Sequence, residues 1–99
     1  MVTSVKIGNI FCQPADDWVR YYQVVKLNGN SIQVAELATK SRTFKGTTWV
    51  SPIPNAIIDY PITVKLRYDT GGWGIDLPRG GYGYRMTVAQ SRKGVELYR

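Results

Sequence analysis

The chain has 99 residues, of which 43% are apolar and 20% charged, and it carries a net charge of +6. This is the composition of one small folded domain, residues 1–99, and it excludes a disordered chain. One cysteine and no histidine exclude an intrachain disulfide and a cysteine-based zinc site, and they remove the commonest general base. We therefore expect no enzyme activity, no cofactor and no metal.

The positive charge favours an anionic partner, such as nucleic acid, a nucleotide or an acidic protein surface. Residues 1–50 hold six Lys and Arg, and residues 51–99 hold seven, so a basic patch must be assembled by folding. The first residues lack the apolar core and the cleavage site of a signal peptide. No stretch approaches the roughly 20 apolar residues of a membrane span. We expect a cytoplasmic protein that does not enter the membrane.

Strand and turn patterns alternate along almost the whole chain. The segment 14–18 is typical of a short helix or a bent loop, and 55–60 of one helical turn between prolines. The frequent turn signals and the lack of a sustained helical period predict an all-β fold. We expect a small, partly open β-barrel, SH3-like, with five to seven short antiparallel strands and at most one or two helical turns. The strand segments are 5–12, 21–27, 31–40, 47–51, 62–68, 73–77, 82–90 and 95–98.

The clearest hairpin joins 21–27 to 31–40 through Asn28, Gly29 and Asn30. Asn-Gly tolerates the positive φ of a tight hairpin turn. A loop of even length places Val25 and Leu27 on the same face as Ile32 and Val34, whereas an odd loop separates them. We predict the even loop.

After this hairpin comes a short basic segment with Lys40, Arg42 and Lys45, and with Phe44 among them. It has two interpretations, a contact loop or a solvated connection.

Strict alternation in 62–68 gives one buried face and one basic face with Lys65 and Arg67. In 82–90 the residues Tyr82 and Tyr84 alternate with Arg85. If the two strands are neighbours, we expect Lys65, Arg67 and Arg85 to share a surface. Whether the two tyrosines belong to the core or to the surface stays open at this stage.

Six of the ten glycines lie between Tyr68 and Arg85, together with four aromatic residues. The nine-residue repeat within this stretch is similar to calcium-binding β-roll repeats, but Arg85 takes the place of the acid Asp76, which argues against calcium. Strand patterns follow the glycines, so they do not form a dinucleotide loop. The glycines allow many backbone conformations, the aromatic rings can stack on a ligand, and the arginines can bind phosphate. The stretch is therefore suited to a phosphate-bearing ligand with an aromatic ring. The predicted ligand-binding residues are Lys65, Arg67, Trp73, Arg79, Tyr82 and Arg85.

Four segments resemble, in the same order, those of a group of small phage-encoded proteins. The chain reads Ile-Gly-Asn-Ile-Phe at 7–11, Tyr-Tyr-Gln-Val-Val at 21–25, Trp-Val-Ser-Pro-Ile-Pro-Asn-Ala-Ile-Ile at 49–58 and Pro-Ile-Thr-Val-Lys at 61–65. The group has Gly-Asp-Ile-Phe where this chain has Asn9, and the run typical between the first two strands is missing here. Its function is not established, so the resemblance implies a phage-type protein but transfers no site residue.

Together these observations predict a phage-type, non-catalytic protein that binds nucleic acid or a nucleotide signal and counteracts a host defence. One alternative is an inhibitor that docks on a host or defence protein, which Arg and aromatic residues serve equally well. A second alternative is a small virion or assembly component, which would form a defined homo-oligomer. The sequence leaves the ligand, the partner and the oligomeric state open.

Overall fold

The computed structural model describes residues 5–15, 17–29, 31–69, 72–78 and 81–97. Within these residues the chain forms eight strands and one short helix, so the predicted all-β class is confirmed. The elements are β1 (Ile10–Pro14), β2 (Val19–Asn28), β3 (Ser31–Phe44), β4 (Thr47–Ile57), β5 (Ile62–Asp69), β6 (Gly72–Asp76), β7 (Tyr82–Arg85), α1 (Val88–Lys93) and β8 (Val95–Leu97).

Six strands form a partly closed ring. They are hydrogen-bonded in the order β2-β1-β7-β6-β5-β3, and β3 returns to pair with β2. The coarse expectation of a small barrel-like fold is confirmed. The structure has eight strands and not five to seven, because the second half of β3 leaves the ring and builds a second sheet with β4 and β8.

The β2–β3 hairpin has the predicted even loop. Asn28 pairs with Ser31, which leaves two residues in the turn, and Leu27 pairs with Ile32. A β-bulge between Val24 and Lys26 inserts one extra residue into β2. As a result Val24, and not the predicted Val25, lies opposite Val34 in the core.

Two apolar clusters hold the sheets together. The inner cluster fills the ring, and the second lies between the outer face of the ring and the β3-β4-β8 sheet. Burying each large apolar side chain stabilises the fold by roughly 1.5–3 kcal/mol. The inner cluster contains Val5, Phe11, Tyr22, Val24, Ile32, Val34, Val64, Ile75 and Leu77. The second contains Ile10, Cys12, Tyr21, Leu37, Val50 and Met86.

Polar contacts also join the ring to the second sheet. The buried Tyr21 hydroxyl donates to the Val50 carbonyl oxygen at 2.5 Å. Gln23, itself buried, donates from Nε2 to Asn55 Oδ1 at 3.0 Å and accepts from the Asn55 amide at 2.9 Å. Asn55 has a φ of 66° and lies inside β4, so the helical turn predicted at 55–60 is wrong. Asparagine tolerates this conformation because its short side chain bonds locally.

The strand predicted at 82–90 is also shorter than expected. β7 ends at Arg85, and α1 begins at Val88 behind the N-cap Thr87. The Thr87 side chain accepts from the Gln90 amide at 3.1 Å, and the Thr87 amide donates to Gln90 Oε1 at 2.8 Å. This capping box is a helix-start signal that the strand-like alternation before it concealed. In 14–18 the Ala15 amide bonds the Trp18 carbonyl oxygen at 2.8 Å, which gives the bent loop and not the helix.

Candidate functional site

The predicted site residues are divided between two faces of the ring. β6 lies between β5 and β7, and it sets Lys65, Asp76 and Tyr82 side by side. Arg67 pairs with Gly74, two residues further along β5. Lys65, Arg67 and Tyr82 therefore share the outer face of the ring.

Arg85 lies on the opposite face. It pairs with Phe11, a fully buried residue of the inner cluster. The expected surface with Lys65, Arg67 and Arg85 together is therefore wrong. Alternation within each strand does not fix the relative phase of two strands, and the intervening β6 places Tyr82 where Arg85 was expected. Arg79 lies outside the described residues.

Trp73 is on the inner face as well, packed against the inner cluster. Its ring meets Tyr68 edge-to-face, with centroids 5.0 Å apart and an interplanar angle of 62°. Tyr68 is 69% exposed and Trp73 is half-buried. Trp73 is therefore already engaged by the protein at this end of the ring.

The half-buried Tyr82 has close neighbours on the outer face. A Cβ at Gly74 would overlap its ring, so the ring lies directly against that glycine. The Arg67 guanidinium carbon is 5.1 Å from the ring centroid, and Arg67 Nη1 is 3.7 Å from Asp76 Oδ1. Tyr82 is therefore half-buried against Gly74, and the Asp76 carboxylate offsets part of the local positive charge.

Tyr84 packs against the second cluster and is the register partner of Cys12. Burial raises the pKa of Cys12 to about 11. Burial, reinforced by Cys12, raises the pKa of Tyr84 to about 12. Both groups are neutral at physiological pH, and a neutral buried thiol is a poor nucleophile.

A cavity of about 550 Å³ opens beside Tyr22, Ile62 and Leu77 of the inner cluster and its margin. Its charged lining is Arg20, Glu36 and Asp59. Burial raises the pKa of Tyr22 and the charge of Glu36 adds to this shift, whereas the charge of Arg20 opposes it. Two carboxylates against one guanidinium make this cavity a poor site for phosphate.

The strongest basic surface lies elsewhere, on the outer half of the β3–β4 hairpin and on α1. Residues 40–50 and 88–97 contain five cations and one carboxylate, Glu96. We call this surface the basic face, and it is formed by Lys40, Arg42, Phe44, Lys45, Trp49, Arg92 and Lys93.

The register of the hairpin explains how the basic face is built. Lys40 pairs with Ser51, Arg42 with Trp49 and Phe44 with Thr47, so these pairs share one face. Val50, the neighbour of Trp49, points the other way into the second cluster. The basic side chains on β3 are therefore turned away from the core, along a strand segment that is exposed from Thr39 to Phe44.

Trp49 is the centre of the basic face. The Arg42 guanidinium carbon lies 5.9 Å from its ring centroid and the Lys93 ammonium lies 5.1 Å away. Arg42 Nη2 also donates to the Lys93 carbonyl oxygen at 3.4 Å. These cation–π contacts fix two positive charges beside one ring.

Sequence reasoning found only part of this surface. The sequence predicts either a contact loop or a solvated connection for the segment with Lys40, Arg42 and Lys45. In the structure this segment is the outer part of the β3–β4 hairpin, which we call the arm (residues 39–52). Arg92 and Lys93 were missed because their segment was not recognised as a helix, although the Thr87 and Gln90 capping box marks its start.

No family model matches this chain, and no curated protein or solved structure is significantly similar to it. In the part of the chain that the structure describes, no helix is long and apolar enough to cross a membrane.

Proposed function

We propose that this protein is a non-catalytic binding protein for an anionic, phosphate-bearing ligand, and that the ligand is nucleic acid held on the basic face. The observation that carries the proposal is the placement of two cations, Arg42 and Lys93, over the ring of Trp49. Lys40 and Lys45 belong to the same hairpin, and Arg92 precedes Lys93 in α1. Glu96, which pairs with Trp49, is the one carboxylate in these segments. Each cation that neutralises a phosphate releases a counterion, which favours binding to a polyanion.

The geometry favours nucleic acid over a small nucleotide signal. A nucleotide needs a concave site that encloses it. The cavity beside Tyr22 is lined by the carboxylates of Glu36 and Asp59, which would repel a phosphate bound there. The basic face is instead open, and its charges extend from Lys40 to the hairpin turn at Lys45. An extended backbone can meet several of these charges together.

The biological setting is proposed on the resemblance to the small phage-encoded group. A phage protein of this kind would bind a nucleic acid and thereby counteract a host defence in the cytoplasm. This part of the proposal depends on the segments at 7–11, 21–25, 49–58 and 61–65.

A second candidate function is inhibition of a host or defence protein by docking. The observation that favours it is a series of exposed apolar side chains at the end of β4 and in the loop after it. Ile57 is 47% exposed, Ile58 59% and Tyr60 87%. Exposed apolar residues close together in sequence are typical of protein contact surfaces.

The first experiment measures fluorescence anisotropy of a short labelled oligonucleotide between about 50 and 200 mM salt. Five phosphate contacts give a slope of log affinity against log salt of about −3.5 for a single strand. The charge-reversed pair Arg42→Glu and Lys93→Glu should weaken binding strongly. A slope near zero would contradict the proposal.

Two control pairs carry the same change in net charge. Lys6 and Lys26 are exposed and lie outside the basic face, so the pair Lys6→Glu and Lys26→Glu should lower affinity only through the general field of the protein. The pair Lys65→Glu and Arg67→Glu tests the site predicted from sequence. If this pair weakens binding more than the basic-face pair does, the ligand lies on the outer face of the ring.

A further inference from the structure

We propose that the basic face binds single-stranded nucleic acid, with Phe44 as the platform on which a base stacks. This inference rests on the proposed function and names the kind of nucleic acid. Phe44 is 67% exposed at the end of β3, and its pairing with Thr47 puts it on the same face as Arg42 and Trp49. A ring with such exposure contributes little to the core and is available to a ligand.

The spacing of the basic face suits an extended strand. Residues 40, 42 and 44 occupy successive same-face positions of β3, about 6.6–6.8 Å apart. Two cations are thus followed by one ring along a single line, which is the arrangement of a groove that tracks a backbone and stacks its bases.

The turn at the end of the hairpin gives an independent argument. Lys45 and Gly46 have φ values of 51° and 80°, as a type I′ turn requires at both central positions. Asparagine, aspartate or glycine is favoured at the first of these, whereas lysine is strained there. Its ammonium lies 5.4 Å from the Phe44 centroid. A strained residue that adds charge beside an exposed ring points to a binding role.

Duplex fits this surface less well. In a duplex the π faces of the bases are already stacked on each other, and a side chain must unstack a step to reach them. The arm is also too wide to act as a two-stranded ribbon in the major groove, because β8 pairs with β4 from Thr48 to Val50. Only the turn and its flanking residues project beyond this third strand. A single strand offers π faces at a lower unstacking cost than a duplex does.

The test compares Phe44→Ala and Phe44→Trp, with one labelled sequence offered as a single strand and as a duplex. For the single strand, Phe44→Ala should weaken binding about 5- to 160-fold, the range for one stacked base, and Phe44→Trp should restore it. The salt slope should not change, because no charge is removed. The melting temperature should not change either, because the ring is exposed.

The outcomes separate this inference from the proposed function. If neither form of the oligonucleotide binds with a salt-dependent affinity, the proposed function fails and this inference fails with it. If binding is salt-dependent but the duplex binds at least as tightly, the inference alone is overturned. It is also overturned if Phe44→Ala leaves single-strand affinity unchanged.

Discussion

The hydroxyl of Tyr21 donates a hydrogen bond to the carbonyl oxygen of Val50 at 2.5 Å, and this contact links the ring to the sheet that carries the basic face. Tyr21 is fully buried and Val50 nearly so. A buried carbonyl oxygen next to Trp49 is thus satisfied by a side chain 29 residues away in the sequence. The contact thus ties the residue that follows Trp49 to the ring.

Tyr21→Phe should lower the free energy of unfolding by about 1–3 kcal/mol, because it leaves the buried Val50 carbonyl oxygen without its donor. Urea unfolding followed by tryptophan fluorescence measures the change. Tyr60→Phe is the matched control, since Tyr60 is 87% exposed and its hydroxyl keeps access to water. Equal stability of the two variants would show that the Val50 bond contributes nothing.

Gly94→Ala should be strongly destabilising. Gly94 has a φ of 84°, and an added Cβ would collide with the backbone carbonyl of Val50. The strained conformation alone costs about 1–3 kcal/mol, and the collision adds to it. Gly46→Ala is the control, because Gly46 has a φ of 80° with open space around it. The difference between the two melting temperatures isolates the collision with Val50, and no difference would disprove the close approach.

Stability should fall at alkaline pH because of Cys12. Its folded pKa is raised from 9.0 to about 11 by burial, so the unfolded chain loses its thiol proton first. The contribution of the Cys12 thiol to the free energy of unfolding is unchanged below pH 9. It decreases as the pH rises from 9 toward 11. The loss is on the order of 2–3 kcal/mol over that window.

Urea unfolding of the protein and of Cys12→Ala at intervals across this pH range tests the expectation. The variant is less stable below pH 9 because it creates a small cavity, so the measured quantity is the slope of stability with pH. The variant should keep only the decline caused by tyrosines such as Tyr84. Parallel slopes would show that the thiol is not protected in the folded state.

Lys45→Asn should raise stability and weaken nucleic-acid binding in the same protein. Asparagine tolerates the positive φ at position 45, which relieves strain of up to about 1 kcal/mol, but it removes the cation beside Phe44. Thermal unfolding and anisotropy are measured side by side. Lys45→Arg keeps the charge and the strain, so it should resemble the original protein in both measurements. A gain in stability without loss of affinity would mean that the turn has no binding role.

Strand positions could be predicted from the sequence because apolar alternation is a local signal. Each of the eight predicted segments overlaps a strand of the structure. The relation between strands could not be predicted, because it depends on bulges and on strand order. The bulge at Val25 and the placement of Arg85 opposite Phe11 are both of this kind.

The candidate site was predicted less completely for a related reason. A basic patch was expected, but its members come from two segments about 50 residues apart, the arm around Arg42 and the helix ending at Lys93. The pairing of β8 with β4 and the contacts of Arg42 and Lys93 with Trp49 bring them together. Local composition drew attention to the glycine-rich stretch instead, where Tyr82 and Arg67 are occupied by each other and by Asp76.

The continuity of β3 has a consequence for how the basic face meets its ligand. One strand of 14 residues lies in the ring at its start and carries Arg42 and Phe44 at its end. Its 13 steps of about 3.3 Å give a length of about 43 Å, which is comparable to the longest dimension of the molecule, 45 Å. The arm is therefore anchored in the inner cluster and is preorganised. Because of this, the protein loses little conformational entropy when a strand of nucleic acid binds to the arm.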